Sequence, residues 1–244
     1  MPGSSFEDLY LVNPAHVRPA TADEVAALES ELGVGMPTGY AEYVQRTGEG
    51  VLGHFLVVHA PAGLPDRTLE WRKRIQEYWF WDTSEAGITP EALQQEGVLV
   101  ADTFDGDELG FHPADPDTLF VLPRNEDIVR RLGPGLVPAV DWVLSGGLNP
   151  WVEGWSFETS THRVEVRQDV TSGLSLDAAA QALADLGEHS HVVELDDRQT
   201  FFLPAIAGRL SLHQLEDGPL AMDLTYDADA DPDAVARPLG VLGV

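Results

Sequence analysis

The sequence contains no cysteine, and only one of its 14 basic residues, Lys73, is a lysine. Without cysteine the chain has no disulfide framework, no thiolate nucleophile and no cysteine-bound zinc. No uninterrupted apolar run approaches the roughly 20 residues that a membrane-spanning helix needs, and the N-terminus lacks the pattern of a signal peptide. These absences predict a soluble, cytoplasmic protein.

Positive charge is scarce, since 14 basic residues stand against 41 acidic ones and give a formal charge of −27. Nucleic acids and anionic membranes would repel such a chain, so neither is expected as a partner. A basic protein would be attracted, although excess acid also raises solubility without any partner. With 244 residues, of which 43% are hydrophobic, the chain can bury a core as one large domain or two small ones.

The motifs that mark common enzyme classes are missing. The chain has no G-x-x-x-x-G-K-[ST], no G-x-G-x-x-G, no G-x-S-x-G and no H-E-x-x-H. Phosphate loops, dinucleotide folds, hydrolase elbows and zincin sites therefore lack their usual signatures. No catalytic residue and no cofactor is predicted.

Three groups contain residue types that bind metals: the carboxylates of residues 102–108, the alternating aspartates of residues 227–233, and His189 with His191. The first group lacks the spacing of a calcium loop, and turn residues explain it. The second fits a solvated tail, and the two histidines have no further ligands in the pattern. We therefore expect no metal site.

The first half of the chain opens with a predicted pair of helices. Thr21 and Glu24 have the spacing of a capping box, and the apolar residues after them recur at helical intervals over residues 22–32. A second helix is expected to begin at Pro37 and to end at Gly48. Both helices are interpreted as scaffold.

Four consecutive aromatic residues occupy positions 78–81, at the end of a helix expected from about Leu69. They cannot all be buried on one helix face. We expect Tyr78 or Trp81 to be exposed as an anchor for a partner, because aromatic side chains are enriched at interface hot spots.

Before this helix, residues 51–59 predict one continuous buried strand.

Residues 97–124 have the strongest local pattern in the chain. Apolar runs at residues 98–101 and 119–122 predict buried strands, and residues 108–112 alternate apolar with polar side chains. Asp-Gly and Asp-Pro turn signals separate these runs. The segment therefore predicts a meander of three strands with one face exposed to water.

The pattern changes after Asn149-Pro150, where we place a domain boundary. Before it, residues 126–146 are expected to form a helical segment that is broken at Gly133-Pro134-Gly135, followed by a short helix ending at Gly146. After it, a strand, a helix capped by Ser175 and a hairpin at Asp196-Asp197 predict a smaller α+β sandwich with one helix on an antiparallel sheet. The predicted order is an N-terminal arm, a larger α+β domain, the smaller domain and an acidic flexible tail, over residues 1–20, 21–150, 156–228 and 229–244.

Two segments carry a family resemblance: ADEVAALESELGVGMPTGYAEYVQRTGEGVLGHF at residues 22–55 and DGDELGFHPADPDTLFVL at residues 105–122. An acidic helix leading into Leu-Gly, a Pro, a Tyr-bearing second helix and a Gly turn, followed by the later strand pattern, resembles the SMI1/KNR4 family, or SUKH superfamily. The resemblance covers roughly residues 20–145, with His112 standing where an Asp is commoner. It implies an α+β fold in which helices flank an antiparallel-rich sheet.

The resemblance also implies a function, because bacterial members of this family are mostly immunity proteins that bind and neutralise toxins. We expect a non-catalytic protein that occludes a basic toxin domain, such as a nuclease. An adaptor or regulatory module of the same fold, and an enzyme with an unrecognised site, remain alternatives. The residues expected to contact the partner are the carboxylates projecting from the meander and the aromatic anchors: Asp105, Asp107, Glu108, Asp115, Asp117, Tyr78 and Trp81.

Overall fold

The computed structural model describes residues 5–85, 87–149, 152, 154–159, 161–195, 197–214 and 218–244. These residues form an α+β fold with seven α-helices and fourteen strands. The helices are α1 (Ala22–Leu32), α2 (Tyr40–Thr47), α3 (Leu64–Tyr78), α4 (Pro90–Glu96), α5 (Leu136–Trp142), α6 (Leu176–Leu186) and α7 (Pro232–Leu242). The strands are β1 (Tyr10–Leu11), β2 (Val51–Leu52), β3 (Leu56–Val58), β4 (Thr83–Ser84), β5 (Val98–Thr103), β6 (Glu108–His112), β7 (Asp115–Leu122), β8 (Ile128–Pro134), β9 (Ser156–Glu158), β10 (Arg163–Asp169), β11 (His191–Leu195), β12 (Arg198–Leu203), β13 (Gly208–His213) and β14 (Ala221–Asp227).

The strands form two sheets. The larger is a nine-stranded mixed sheet in the order β1-β9-β2-β3-β5-β6-β7-β8-β4, and the smaller is a five-stranded antiparallel sheet in the order β10-β14-β13-β12-β11. The chain divides into unit 1, which is Met1–Tyr10 with Val17–Phe157, and unit 2, which is Leu11–His16 with Glu158–Val244. No helix of the described residues has the length and apolarity needed to cross a membrane.

The first helix forms as its capping signals predict. The Thr21 side chain accepts from the Glu24 backbone N–H, the Glu24 carboxylate accepts from the Thr21 backbone N–H, and Gly33 ends the helix in a left-handed conformation. Helix α2 begins at Tyr40 and not at Pro37. Gly39 has φ 88° just before it, and a residue in that conformation cannot lie inside a right-handed helix.

The expected strand over residues 51–59 is instead a short hairpin. Strands β2 and β3 pair through Leu52 and Leu56, and the turn between them contains Gly53 at φ 55° and His54 at φ 56°. Helix α3 begins at Leu64, earlier than expected, because Pro65 occupies the first turn, where its missing N–H costs nothing.

The meander of β5, β6 and β7 is formed in the predicted order, but β7 begins at Asp115, within the expected Asp-Pro turn, and the face expected to be exposed to water is buried. Four of the five β6 residues are buried, because α3 packs over the sheet. A Cβ built on Gly110 would lie 3.2 Å from the ring of Trp71 on α3. The absence of a side chain at Gly110 therefore lets the tryptophan lie directly on the strand.

Residues 128–134 form strand β8, although a helix was expected there. The strand pairs antiparallel with β7, with Phe120 opposite Arg131, and parallel with the short edge strand β4. The β-branched residues Ile128 and Val129 fit a pleated sheet, and the pairing outweighs the weak helical pattern. Helix α5 begins only after Gly135.

Unit 2 packs two helices, not one, with its antiparallel sheet. Helix α6 has the predicted Ser175 cap and ends at Gly187. The expected flexible tail instead forms α7, which is capped by Asp231 and shares a hydrophobic core with α6 and the sheet through Ala234, Val235 and Leu242. Composition suggested a mobile tail there, whereas the helical spacing of its few apolar residues decided the structure.

Residues 5–20 form two short helical turns and a strand where an arm was expected. Strand β1 belongs to the nine-stranded sheet, while Leu11–His16 belong to unit 2. The side chain of Asn13 is buried there and donates to Thr159 Oγ1 at 2.6 Å. Pro150 and Asp196, which mark the expected boundary and hairpin, lie outside the described residues.

Candidate protein-interaction surface

The turn between β5 and β6, residues 103–107, is closed by a buried polar pair. The Thr103 hydroxyl donates to Asp107 Oδ2 at 2.6 Å and accepts from the Asp107 backbone N–H at 3.0 Å. Asp107 Oδ1 accepts from the backbone N–H of Arg124 at 2.8 Å. Gly106 has φ 92°, which lets the chain reverse within so few residues. We refer to residues 103–107 as the acidic turn.

The acidic turn presents an apolar and a charged side chain to solvent. Phe104 is 60% exposed, and Asp105 beside it is exposed as well. The ring of His54 meets Phe104 edge-on at 6.1 Å, and Asn149 donates to Asp105 Oδ2 at 3.0 Å. An exposed phenylalanine next to a carboxylate on a fixed turn is a suitable contact for a partner protein.

Asp107 and Glu108 do not project into solvent, which corrects the expectation from sequence. Asp107 is 4% exposed because it closes the acidic turn, and Glu108 is 8% exposed. Both were predicted to point outward because acidic residues usually do. In this fold their carboxylate oxygens instead accept hydrogen bonds from donors inside the protein.

Glu108 is the centre of a hydrogen-bond cluster between β6 and α3. Its carboxylate accepts from the Trp71 indole N–H at 2.7 Å, from the Tyr78 hydroxyl at 2.8 Å and from Arg74 at 2.9 Å. Burial raises the pKa of Tyr78 above its usual value, and the neighbouring Glu108 carboxylate raises it further. This cluster is therefore a structural connection between helix and sheet.

Asp115 and Asp117 lie at the other end of the meander from the acidic turn. Asp115 is in register with His112, whereas Glu108 at the opposite end of β6 is in register with Leu122. At about 3.4 Å per residue, the ends of β6 are about 14 Å apart. The five carboxylates therefore do not share one edge, contrary to expectation.

The two distant carboxylates also have local partners. Asp117 Oδ1 accepts from the backbone N–H of Thr38 at 2.7 Å, and Asp115 Oδ2 accepts from the Thr118 hydroxyl at 2.6 Å. Asp117 is half-buried, and Asp115 is exposed. Of the five predicted carboxylates, Asp105 and Asp115 are exposed.

The aromatic segment places its exposed side chain elsewhere than expected. Trp81 is only 5% exposed, and its indole N–H donates to the Pro123 carbonyl at 2.8 Å. Tyr78 is half-buried. Phe80 is 46% exposed instead and stacks on Trp81 with ring centroids 4.2 Å apart. The helix ends at Tyr78, so helical spacing no longer determines which of the following rings face the core.

Unit 2 contains a buried ion cluster that the sequence did not reveal. Arg163 Nη2 donates to Glu158 Oε2 at 2.6 Å, and Arg209 Nη2 lies 3.5 Å from Glu158 Oε1. Burial lowers the pKa of Arg163, while the Glu158 carboxylate acts in the opposite direction. The two arginines lie on different strands, so no local sequence pattern joins them.

A hydroxyl, an imidazole and a carboxylate also lie near one another in this sheet. Ser211 is in register with Asp223, and His213 Nδ1 lies 3.6 Å from Asp223 Oδ2. Ser211 has no exposed surface, and its hydroxyl is hydrogen-bonded to Thr200 at 2.8 Å. Burial lowers the pKa of His213, opposed by the carboxylate of Asp223. A substrate has no access to this serine in the structure, so the group does not support hydrolase chemistry.

Within the described residues, one group of side chains is spaced to hold a metal ion: His16, Asp227 and Asp229. His16 comes from the N-terminal segment and the aspartates from near the C-terminus, which is why spacing along the sequence could not bring them together. His189, a candidate from sequence, precedes β11 and packs edge-on against Phe201.

No protein-family model matches the chain, and no match is found among curated proteins.

Proposed function

We propose that this protein is a non-catalytic binding protein of the immunity type, which uses the acidic turn of unit 1 to contact a basic protein, such as a nuclease toxin domain. The observation that carries the proposal is the solvent-exposed Phe104 beside Asp105 on a turn that buried hydrogen bonds hold in place. The resemblance of residues 20–145 to the SMI1/KNR4 family supports the same class of function.

The charge of unit 1 supports a basic partner. Its sequence contains 25 acidic residues against 9 basic ones. A surface with this excess attracts a basic protein over a Debye length of about 10 Å at 0.1 M salt and raises the association rate by roughly 10 to 1000-fold. Self-repulsion among the carboxylates would be relieved when arginine and lysine side chains of the partner approach.

The rigidity of the acidic turn supports a role for Phe104 as an anchor. The turn is held by Asp107, so little conformational entropy is lost when the phenyl ring is buried in a complex. Truncation of a central interface aromatic typically costs about 2 kcal/mol or more, which corresponds to roughly 30-fold in affinity. Asp105 would supply a charged contact next to the ring.

The test uses three forms of the full chain: wild type, a double variant with Phe104→Ala and Asp105→Lys, and a control with Glu194→Lys. Glu194 is an exposed residue of β11 in unit 2, so its replacement reverses the same charge on the other unit. Each protein is immobilised and incubated with native cytoplasm at about 50 mM and about 500 mM salt. Captured proteins are identified by mass spectrometry and then assayed for toxicity and nuclease activity with and without each variant.

We expect a basic protein to be retained by wild type and control at low salt, to be released at high salt, and to be lost by the acidic-turn variant. Wild type should neutralise its activity. Equal capture by all three forms would move the interface away from the acidic turn. Capture of a partner with no toxic activity would favour an adaptor and contradict the immunity function.

A further inference from the structure

Three side chains with metal-binding atoms converge in unit 2. His16 ends a short helical turn, Pro14–His16, while Asp227 is the last residue of β14 and Asp229 lies in the turn after it. One donor atom from each residue lies within 4.8 Å of the others. His16 Nε2 and Asp227 Oδ2 are only 2.8 Å apart. All three residues belong to unit 2.

Backbone hydrogen bonds fix the Asp227 carboxylate and the turn that carries Asp229. The Asp229 N–H donates to Asp227 Oδ1 at 2.9 Å, and the Ala230 N–H donates to the Asp227 carbonyl at 2.9 Å. The Ala228 N–H donates to the carbonyl of His162 at 2.8 Å. Asp227 is 7% exposed, whereas Asp229 is exposed. An ion bound here would therefore be held from the protein side and would keep an open side for water.

From this geometry we infer that His16, Asp227 and Asp229 form a binding site for a divalent transition-metal ion of the zinc type. Zinc binds imidazole nitrogen at about 2.0–2.1 Å and carboxylate oxygen at about 2.0–2.2 Å, which places neighbouring tetrahedral donors about 3.4 Å apart. The His16 Nε2–Asp227 Oδ2 separation of 2.8 Å is below that value and the upper bound of 4.8 Å for the set is above it, so side-chain rotations would complete the site. Water fills the fourth position.

The choice of metal follows from the imidazole. Calcium and magnesium take oxygen ligands, whereas an imidazole with carboxylates suits zinc and its neighbours. His16 Nε2 and Asp227 Oδ2 lie 2.8 Å apart, which is hydrogen-bond distance, and a metal ion bound to both atoms would replace that contact.

The positive charge of Arg163 acts on the Asp227 carboxylate, but the hydrogen bonds of its guanidinium go elsewhere. Arg163 is in register with Asp227 across β10 and β14, but its guanidinium donates to Glu158 at 2.6 Å and to the Ala207 carbonyl at 2.9 Å. The His16 ring also stacks on His162 at 4.7 Å. That stacking fixes the plane of the imidazole, which favours ligation.

A bound ion would join the N-terminal segment Leu11–His16 to the C-terminal part of unit 2. Anything that binds the folded but not the unfolded chain stabilises the fold by mass action. The melting temperature of unit 2 should therefore rise with zinc concentration. This role is separate from that of the acidic turn, since it involves no residue of unit 1.

The test is zinc binding to the full chain by isothermal titration calorimetry and by thermal unfolding. The variants are His16→Gln and Asp229→Asn, and the matched controls are His191→Gln and Asp233→Asn, which alter exposed residues of the same types in unit 2. Asp229 is exposed and its backbone N–H is retained in the variant, so that chain should fold.

We expect about one zinc ion per wild-type chain, a melting temperature that rises by several degrees, and at least a roughly 10-fold loss of affinity in both site variants. The controls should bind as wild type does. Equal binding by Asp229→Asn and Asp233→Asn would overturn the site, because it would mean diffuse attraction to acidic side chains. Calcium binding as tight as zinc binding would also overturn the site, since the imidazole would then contribute nothing. The absence of saturable zinc binding would overturn it as well.

Discussion

Replacing Glu108 by alanine should destabilise unit 1 strongly, because three donors depend on its carboxylate. Trp71 is fully buried, so its indole N–H would be left without an acceptor at a cost of about 1–3 kcal/mol. The Tyr78 hydroxyl is half-buried and adds about 1 kcal/mol. The Arg74 side chain is 48% exposed, so water replaces most of its interaction. The expected total loss in the free energy of unfolding is about 2–5 kcal/mol.

Tryptophan fluorescence reports this loss selectively, because all six tryptophans of the sequence belong to unit 1. Unfolding in urea gives the midpoint and slope for wild type, Glu108→Ala and Glu108→Gln. Glutamine keeps one carbonyl oxygen for the Trp71 N–H, so it should cost roughly half as much as alanine. Trp71→Phe removes the donor and completes a double-mutant cycle.

The cycle isolates the hydrogen bond between Trp71 and Glu108 from the rest of the cluster. Glu108→Ala leaves the Trp71 N–H without an acceptor, and Trp71→Phe removes that N–H. The double variant should therefore be more stable, by about 1 kcal/mol or more, than the sum of the two single losses in the free energy of unfolding predicts. A loss under about 1 kcal/mol for Glu108→Ala, or strict additivity in the cycle, would refute the assignment of Glu108 as the connection between α3 and the sheet.

Two further predictions concern unit 2. Gly208→Ala should lower the free energy of unfolding by more than about 2 kcal/mol, because the added Cβ would lie 2.3 Å from the Thr225 carbonyl oxygen. In Gly240→Ala on α7 the added Cβ meets no atom within 4 Å, so this variant should be more stable than wild type by about 0.5–1 kcal/mol. Thermal unfolding followed by circular dichroism compares the two variants, and equal stability would contradict the prediction. Because the pKa of His213 is lowered, its contribution to stability is fully present above the usual histidine pKa of about 6.5 and is lost as the pH falls below it. His213→Gln should therefore flatten the pH dependence of the free energy of unfolding of unit 2 in that range. An unchanged slope would disprove the linkage.

The sequence by itself determined those elements whose signals are local. The capping box at Thr21, the Ser175 cap of α6 and the first two strands of the meander formed where they were predicted, because each depends on neighbouring residues and a fixed period. The α+β class followed from the same patterns. The prediction failed where two signals competed, as in residues 128–134, where pairing with β7 decided for a strand.

Only the tertiary structure decided which polar side chains are buried. Alternation in β6 correctly placed Glu108 and Gly110 on one face, but it could not show that Trp71 of α3 covers that face. Burial depends on what packs against an element, and that information is spread over distant parts of the chain. The same reason explains why His16 and Asp227, at opposite ends of the sequence, lie 2.8 Å apart in unit 2.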